Sequence, residues 1–161
     1  MTTGASTARA WEAEPDEAEV VARLIVGFRD HLGRDWPSEN AMLAGVERLM
    51  EDAGAVYLLA SADDDSPPGG VAQLRFRHSL WTAAPDCGLE DLYVDPAARR
   101  RGLGDALVRL ALEVARARGA RRLELDTSED NETARALYAC HGFSEQSKGG
   151  ARDLFLGMKL V

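Results

Sequence analysis

Residues 89–107 place positive charge and glycine at the point where an apolar strand runs into a helix. Three consecutive arginines, Arg99 to Arg101, precede Gly102 and Gly104. The first N–H groups of a helix have no intrahelical partner and lie at the positive end of its dipole, so they favour an anion. Because glycine carries no Cβ, a phosphate can approach these groups closely. The spacing predicts a turn that holds a phosphate or a pyrophosphate.

The Gly-x-Gly spacing alone does not identify the ligand. It lacks the third glycine of a dinucleotide-binding turn and the Gly-Lys-Ser/Thr of a nucleoside-triphosphate loop, and a nucleotide-dependent enzyme stays open as an alternative. A basic run is also typical of a solvated surface or a nucleic-acid patch. No aromatic residues alternate with the arginines, however, and the net charge of the chain is -8. Nucleic acid is therefore not an expected partner.

Two acids near this turn are candidates for proton transfer. Glu90 lies on the strand before the turn, and Asp126 lies at the end of the next strand. An alkylamine is mostly protonated at neutral pH, so a carboxylate that accepts its proton accelerates attack on an acyl group. The alternatives are an ordinary surface ion pair for Glu90 and a turn cap through Ser128 for Asp126.

Asn131 and Tyr138 form a second pair of polar residues. They are seven positions apart, about two helical turns, so they share a helix face and can contact one ligand. The alternatives are a helix N-cap for Asn131 and a core position for Tyr138 beside Leu137 and Phe143.

Two blocks of the sequence together resemble the GNAT superfamily of acetyl-CoA-dependent N-acetyltransferases. Residues 99–104, Arg-Arg-Arg-Gly-Leu-Gly, are similar to its Arg/Gln-x-x-Gly-x-Gly/Ala signature, and residues 131–143 resemble its second block. Both blocks have the order and spacing of the family, and the span from 89 to 143 covers roughly a third of the chain. The resemblance implies a mixed, mostly antiparallel sheet with splayed fourth and fifth strands and helices on both faces, an α+β fold of three layers (α/β/α).

The resemblance also implies transfer of acetyl from acetyl-CoA, as co-substrate, to a primary amine by direct attack in a ternary complex. Glu90 would be the general base, with Asp126 as the second candidate, and Tyr138 would protonate the departing CoA thiolate. Asp105 departs from the family pattern, because many relatives carry a neutral or basic residue just after the second glycine. A carboxylate at this position should repel the phosphate, although the backbone amide of Asp105 still serves. The residues expected to bind the coenzyme are Leu92, Tyr93, Val94, Arg99, Arg100, Arg101, Gly102, Leu103, Gly104, Asp105 and Asn131.

The acceptor is less well defined by the sequence. Residues 89–94, Leu-Glu-Asp-Leu-Tyr-Val, resemble the corresponding strand of spermidine/spermine and diamine acetyltransferases, which favours a small cationic amine. A protein N-terminus, an aminoglycoside and a non-catalytic role as an acyl-CoA sensor are the alternatives. The presence of both Glu90 and Tyr138, the candidate base and proton donor, argues against the sensor. Members of the superfamily are often dimers, so a homodimer is compatible with the resemblance.

Length and composition indicate the number of domains and the general class of the protein. The 161 residues, 45% of them hydrophobic, predict a single domain spanning 1–161. Cys87 and Cys140 are 53 positions apart, with the three histidines scattered, so neither a disulfide framework nor a metal site is expected. The sequence contains neither a run of about 18 apolar residues nor a signal peptide, so we expect a cytoplasmic protein without a membrane partner.

Periodicity predicts the elements that position these residues. Strands are expected at 8–12, 55–61, 71–78, 88–94 and 121–127, with a terminal strand pair from Phe143 onward. Helices are expected after Pro15, after Ser38 as N-cap, after Gly102 and from Asn131 to His141, with Gly33, Gly54 and Gly119 as ends. Leu80 to Cys87 is expected to be a connecting loop. Hairpin-linked strands followed by alternating strands and helices predict a mixed sheet covered by helices.

Overall fold

The computed structural model describes residues 5–145, 149, 151 and 154–161, which contain a mixed sheet of five strands. The strands are β1 (Arg9–Glu12), β2 (Ala55–Ser61), β3 (Gly70–Ser79), β4 (Ala84–Val94) and β5 (Arg122–Glu124), in that order across the sheet. Neighbouring strands from β1 to β4 pair antiparallel, whereas β5 runs parallel to β4. The predicted mixed sheet and fold class are confirmed.

The structure contains the four helices that the sequence predicts. They are α1 (Ala18–His31), α2 (Glu39–Met50), α3 (Leu103–Ala117) and α4 (Glu132–Cys140), and a 3-10 turn at Pro15–Glu17 precedes α1. The Ser38 hydroxyl accepts a hydrogen bond of 3.2 Å from the Ala41 amide, as expected of an N-cap. Gly33 and Gly119 follow α1 and α3 with φ of +69° and +77°, the left-handed conformation that ends helices.

Alternation along the strands divides the core between the two faces of the sheet. On one face, buried Val21 and Leu24 of α1 pack with Tyr57, Val71 and Tyr93 of the sheet. On the other face α3 packs against β2, β3 and β4 through a strongly apolar side. Its fully buried residues include Leu103, Leu107, Val108 and Ala111. Full burial of a leucine or valine side chain stabilises the fold by about 1.5–3 kcal/mol.

Three predicted segments differ from the structure. The expected loop at Leu80 to Cys87 is wrong, because β3 extends to Ser79 and β4 begins at Ala84, leaving only a short turn. β5 is shorter than predicted, since it ends at Glu124. No strand follows α4 among the described residues, so the predicted terminal strand pair is not found there. Parts of that pair, residues 146–148, 150 and 152–153, lie outside the described residues.

The chain forms two compact units, which are described separately below. The first, Met1–Thr127, contains the sheet with α1, α2 and α3, and the second, Ser128–Val161, contains α4. Within the described ranges, every helix is too short or too polar to cross a membrane.

Candidate active site

The arginine turn begins directly after β4. Asp95 accepts a hydrogen bond of 3.0 Å from the Ala97 amide and so caps a 3-10 turn at Pro96–Ala98. The Arg99 Nε then donates to the Val94 carbonyl at 3.2 Å, which ties the turn back to the strand that it leaves. The end of β4 and the start of α3 are therefore held close together.

The backbone of this turn has the shape of an anion-binding concavity. Arg100 and Gly102 both have positive φ, +63° and +83°, and Gly102 is the N-cap of α3. Left-handed residues between ordinary ones turn successive N–H groups toward one side. The first bond within the helix runs from the Ala106 amide to the Gly102 carbonyl, so the Leu103 and Gly104 amides precede it. The phosphate cradle stays a prediction, and the turn provides helix amides without an intrahelical partner for it.

The N-terminal segment lies against this turn. The Ser6 hydroxyl donates to the Arg101 carbonyl at 3.1 Å, and a Cβ built on Gly102 would lie 2.5 Å from the Ser6 Oγ. A cavity of about 580 Å³ opens here between residues 5–7, Asp63 and the turn. The position therefore requires glycine for two reasons, the positive φ and the close approach of Ser6.

Asp105 is the residue expected to disturb a bound phosphate. Its carboxylate forms an ion pair of 3.1 Å with Arg109, one turn further along α3. The side chain thus runs along the helix, and its charge is partly balanced there. Its amide belongs to the first turn of the helix, where acids are in any case favoured by the dipole.

The strand before the turn separates from its neighbour. Pairing between β4 and β5 runs from Asp86 to Gly88, and no described residue continues it along the following six residues of β4. This is the splay that the family resemblance implies. The peptide groups of residues 89–94 on that edge are consequently the ones that an extended ligand could bind. The Tyr93 side chain is buried, with its ring stacked on Phe28 at 5.4 Å, so its peptide group is the part left for a ligand.

A β-bulge lies at Glu90. Leu74 of β3 pairs with Leu89 and Gln73 pairs with Asp91, so Glu90 has no partner on β3. Bulges of this kind redirect side chains and are frequent beside active sites. Here Leu89 remains on the α3 face, whereas Asp91 turns to the opposite face with Gln73. The exposed Glu90 carboxylate lies over Gly88, 3.1 Å from the position of a Cβ on that residue.

The two predicted acids, Glu90 and Asp126, both lie near a third acid, Asp91. Burial raises the pKa of Asp91, and the nearby carboxylates of Glu90 and Asp126 raise it further. Asp126 is exposed and lies two residues beyond the end of β5. The Ser128 hydroxyl hydrogen-bonds the Asp130 carboxylate, so Asp126 is not its acceptor. Sequence reasoning missed Asp91, although the run Leu-Glu-Asp-Leu breaks the alternation expected of a regular strand.

In the second unit, Asn131 is the N-cap of α4 and Tyr138 lies within that helix. The Asn131 side chain accepts a hydrogen bond of 3.3 Å from the Ala134 amide, so the N-cap alternative is confirmed. Half-buried Tyr138 contacts the edge of the Phe143 ring at a centroid distance of 5.7 Å. The aromatic packing considered for Tyr138 is therefore present.

The cysteines do not form a nucleophilic pair. Cys87 is fully buried, and burial raises its pKa to about 12, so its thiol stays protonated at neutral pH. Cys140 is exposed at the end of α4. Within the part of the chain that the structure describes, no three His, Cys, Asp or Glu side chains are arranged to hold a metal ion.

Comparison with known proteins identifies residues 25–143 with the acetyltransferase (GNAT) family. A mycothiol acetyltransferase of Beutenbergia cavernae is 48% identical over 143 residues, which are 87% of this chain and 39% of that protein. This chain thus spans well under half the length of that relative. An aminoglycoside N(6')-acetyltransferase type 1 of Stenotrophomonas maltophilia is 30% identical over 152 residues, 92% of each chain.

Solved structures have the same fold. The crystal structure of a proposed acetyltransferase from Arthrobacter sp. FB24 matches with a TM-score of 0.85 at 30% identity, covering 98% of this chain and 99% of the other. An aminoglycoside N-acetyltransferase in complex with CoA matches with a TM-score of 0.74 at 23% identity, covering 99% of both chains. At that identity the second match bears on the fold alone.

Proposed function

The chain belongs to the acetyltransferase (GNAT) family, and from that membership we propose that it transfers acetyl from acetyl-CoA to a primary amine. The acceptor is a small cationic molecule that attacks directly in a ternary complex. The observation that carries the proposal is the construction of β4. The strand runs into the phosphate-binding turn at Val94, and the bulge at Glu90, four residues before that end, presents carboxylates.

The coenzyme fits the first unit through backbone groups. The amides of the left-handed turn and of the first turn of α3 bind the pyrophosphate, and the unpaired edge of β4 binds the pantetheine arm. Acetyl-CoA supplies an activated thioester, and a β4 peptide N–H stabilises negative charge on its carbonyl oxygen. The residues assigned to the coenzyme are those of the sequence prediction, Leu92, Tyr93, Val94, Arg99, Arg100, Arg101, Gly102, Leu103, Gly104, Asp105 and Asn131.

Proton transfer is assigned to the acids and to Tyr138. Glu90 takes a proton from the ammonium group of the acceptor, directly or through water, and Asp126 is the second candidate for this role. Support comes from the bulge, which exposes Glu90 beside Asp91 on one face of the sheet. Tyr138 donates a proton to the departing thiolate. Its packing against Phe143 supports a fixed ring orientation for that role.

We further propose that residues 1–161 act as one acetyltransferase domain, in the cytoplasm. The names of the relatives suggest other amines as acceptors, among them an aminoglycoside. Binding of acyl-CoA without turnover, as in a non-catalytic sensor, is the remaining alternative.

Turnover with a panel of amines tests the proposal. The panel contains alkylamines, diamines, spermidine, kanamycin and a peptide with a free N-terminus, each incubated with acetyl-CoA. We expect release of CoA thiol together with the acetylated amine, detected by mass spectrometry, for at least one small amine. The matched control omits the amine and measures hydrolysis. Calorimetric binding of acetyl-CoA without thiol release for any amine would identify a sensor, and absence of binding would contradict the family-derived function altogether.

A further inference from the structure

A second cavity lies on the face of the sheet that carries α1 and α2. Its volume is about 370 Å³, which is within the range of small-ligand pockets. Tyr57, Gln73 and Asp91 contribute to it from three neighbouring strands, so the carboxylate redirected by the bulge faces this cavity. All of its lining residues lie in the first unit.

The walls of this cavity, here called the α1–α2 pocket, are mainly apolar. They include Ile25, Phe28, Leu32, Trp36 and Met42 from α1, α2 and the connection between them. Leu32 is 51% exposed and Trp36 is 71% exposed, so apolar surface remains open at the pocket. Exposed apolar surface beside a cavity is typical of a binding site that an apolar ligand covers.

Charge is distributed unevenly in the α1–α2 pocket. Among the described residues that line it, Asp91 is the one acid, and the carboxylates of Glu90 and Asp126 act on Asp91 from nearby. Two cations, Arg29 and Arg34, also line the pocket.

The two arginines differ in their surroundings. The guanidinium of Arg29 bonds to the Asp30 carboxylate at 2.7 Å and to the Pro37 carbonyl at 2.6 Å, so its charge is largely compensated. Arg34 is exposed on the connection between α1 and α2, beside Trp36. The pocket therefore has an acidic inner end, apolar walls and a basic residue on its exposed side.

We propose that the α1–α2 pocket selects an acceptor with a single ammonium group on an apolar body, and that Asp91 is the residue that binds this ammonium. The inference rests on the proposed function and narrows its acceptor class. The carboxylates attract one ammonium group, and the apolar walls favour a hydrocarbon or aromatic body. A second ammonium would either lose its hydration against these walls or approach Arg34. Polyamines and aminoglycosides, which carry several ammonium groups, are disfavoured.

Hexylamine and 1,6-diaminohexane form a matched pair of probes, because they share one carbon chain and differ in the second ammonium. Binding of each amine to the CoA-saturated protein is measured by calorimetry, and kcat/KM is measured by thiol release. We expect hexylamine to be favoured about tenfold or more in both measurements. Spermidine and kanamycin should be poorer than hexylamine. Equal or tighter binding of the diamine, or of either polycation, overturns the inference, as does failure of every amine to bind.

Two variants test which side chains cause the preference for the monoamine over the diamine. Asp91→Asn should weaken binding of both probes about tenfold or more, because it removes the charge that faces the ammonium. Arg34→Gln should improve binding of the diamine relative to binding of hexylamine. Unchanged selectivity in Arg34→Gln contradicts the assigned role of this side chain. The binding measurements decide the inference even without turnover, whereas thiol release by polyamines alone would support the proposed function and overturn this inference.

Discussion

Glu90 and Asp91 project from the same face of the sheet although they are consecutive residues of one strand. Asp91 pairs with Gln73, and Glu90 lies over Gly88, whose partner Arg75 shares the face of Gln73. In a regular strand consecutive side chains point to opposite faces. The bulge removes that constraint and places two carboxylates side by side, one exposed and one partly buried. Different surroundings for neighbouring acids are a common basis for separate roles in a reaction.

Glu90→Gln tests the assignment of the base. We expect kcat/KM for an amine acceptor to fall by about 10²-fold or more, because proton removal by a positioned carboxylate typically contributes that factor. Glu113→Gln, an exposed acid on α3, is the matched control and should retain full activity. Asp126→Asn is measured in parallel. If Asp126→Asn abolishes turnover while Glu90→Gln matches the control, the base is Asp126.

Gly102→Ala tests the phosphate-binding turn. A side chain at φ +83° costs about 1–2 kcal/mol of folding free energy, and its Cβ would meet Ser6. Displacement of the turn should also weaken acetyl-CoA binding about tenfold, equivalent to ~1.4 kcal/mol, as measured by calorimetry. Gly119→Ala is a suitable control because it has φ +77° and open space around it. It should share the loss of stability but keep the affinity for acetyl-CoA; equal affinities in the two variants would argue against the turn as the binding site.

Tyr138→Phe tests the proton donor. The substitution keeps the ring that contacts Phe143, and the melting temperature is measured beside the kinetics to separate a loss of stability from a loss of proton donation. We expect kcat to fall by about 10²-fold with little change in KM for acetyl-CoA, since the phenol acts on the leaving thiolate. An acetyl donor whose leaving thiol has a lower pKa should recover part of the lost kcat, as measured by steady-state kinetics. Wild-type kcat in Tyr138→Phe would leave Tyr138 with a packing role only.

Asp91→Asn should stabilise the protein at alkaline pH. Burial and the neighbouring carboxylates raise the pKa of Asp91 in the folded state, so its ionised form is less favourable there than in the unfolded chain. Such a group lowers stability in full above its folded-state pKa, and this loss shrinks as the pH falls through that pKa and vanishes below the unfolded-state pKa. The melting temperature of Asp91→Asn should therefore exceed that of the wild type at about pH 8 and approach it near pH 4. A difference independent of pH would contradict this assignment.

Local signals in the sequence were sufficient for most elements of the first unit. The Ser38 cap, the glycines after α1 and α3, and the alternation in β2 and β3 each act within a few residues, so they are legible without tertiary structure. The start of β4 was missed because Thr82-Ala-Ala-Pro lacks the alternation of a half-buried strand. Its pairing with β3 overrides that weak local preference.

The candidate site was predictable in type but not in arrangement. Glycine and arginine in the turn reveal an anion site through their own conformational and charge properties. The bulge at Glu90 depends on register between two strands, which no residue within β4 specifies by itself. For that reason the sequence indicated Glu90 and Asp126 but not Asp91.

The bulge has a consequence for changes in chain length. Leu74 and Gln73 are adjacent on β3, and their partners Leu89 and Asp91 are separated by Glu90 alone. Excising Glu90 would close this gap and leave the remaining cross-strand hydrogen-bond ladder in its present frame. A one-residue deletion in a buried strand is ordinarily disruptive because it reverses every side chain beyond it. Here circular dichroism should show a folded protein, and kcat/KM for acetyl transfer should fall as in Glu90→Gln.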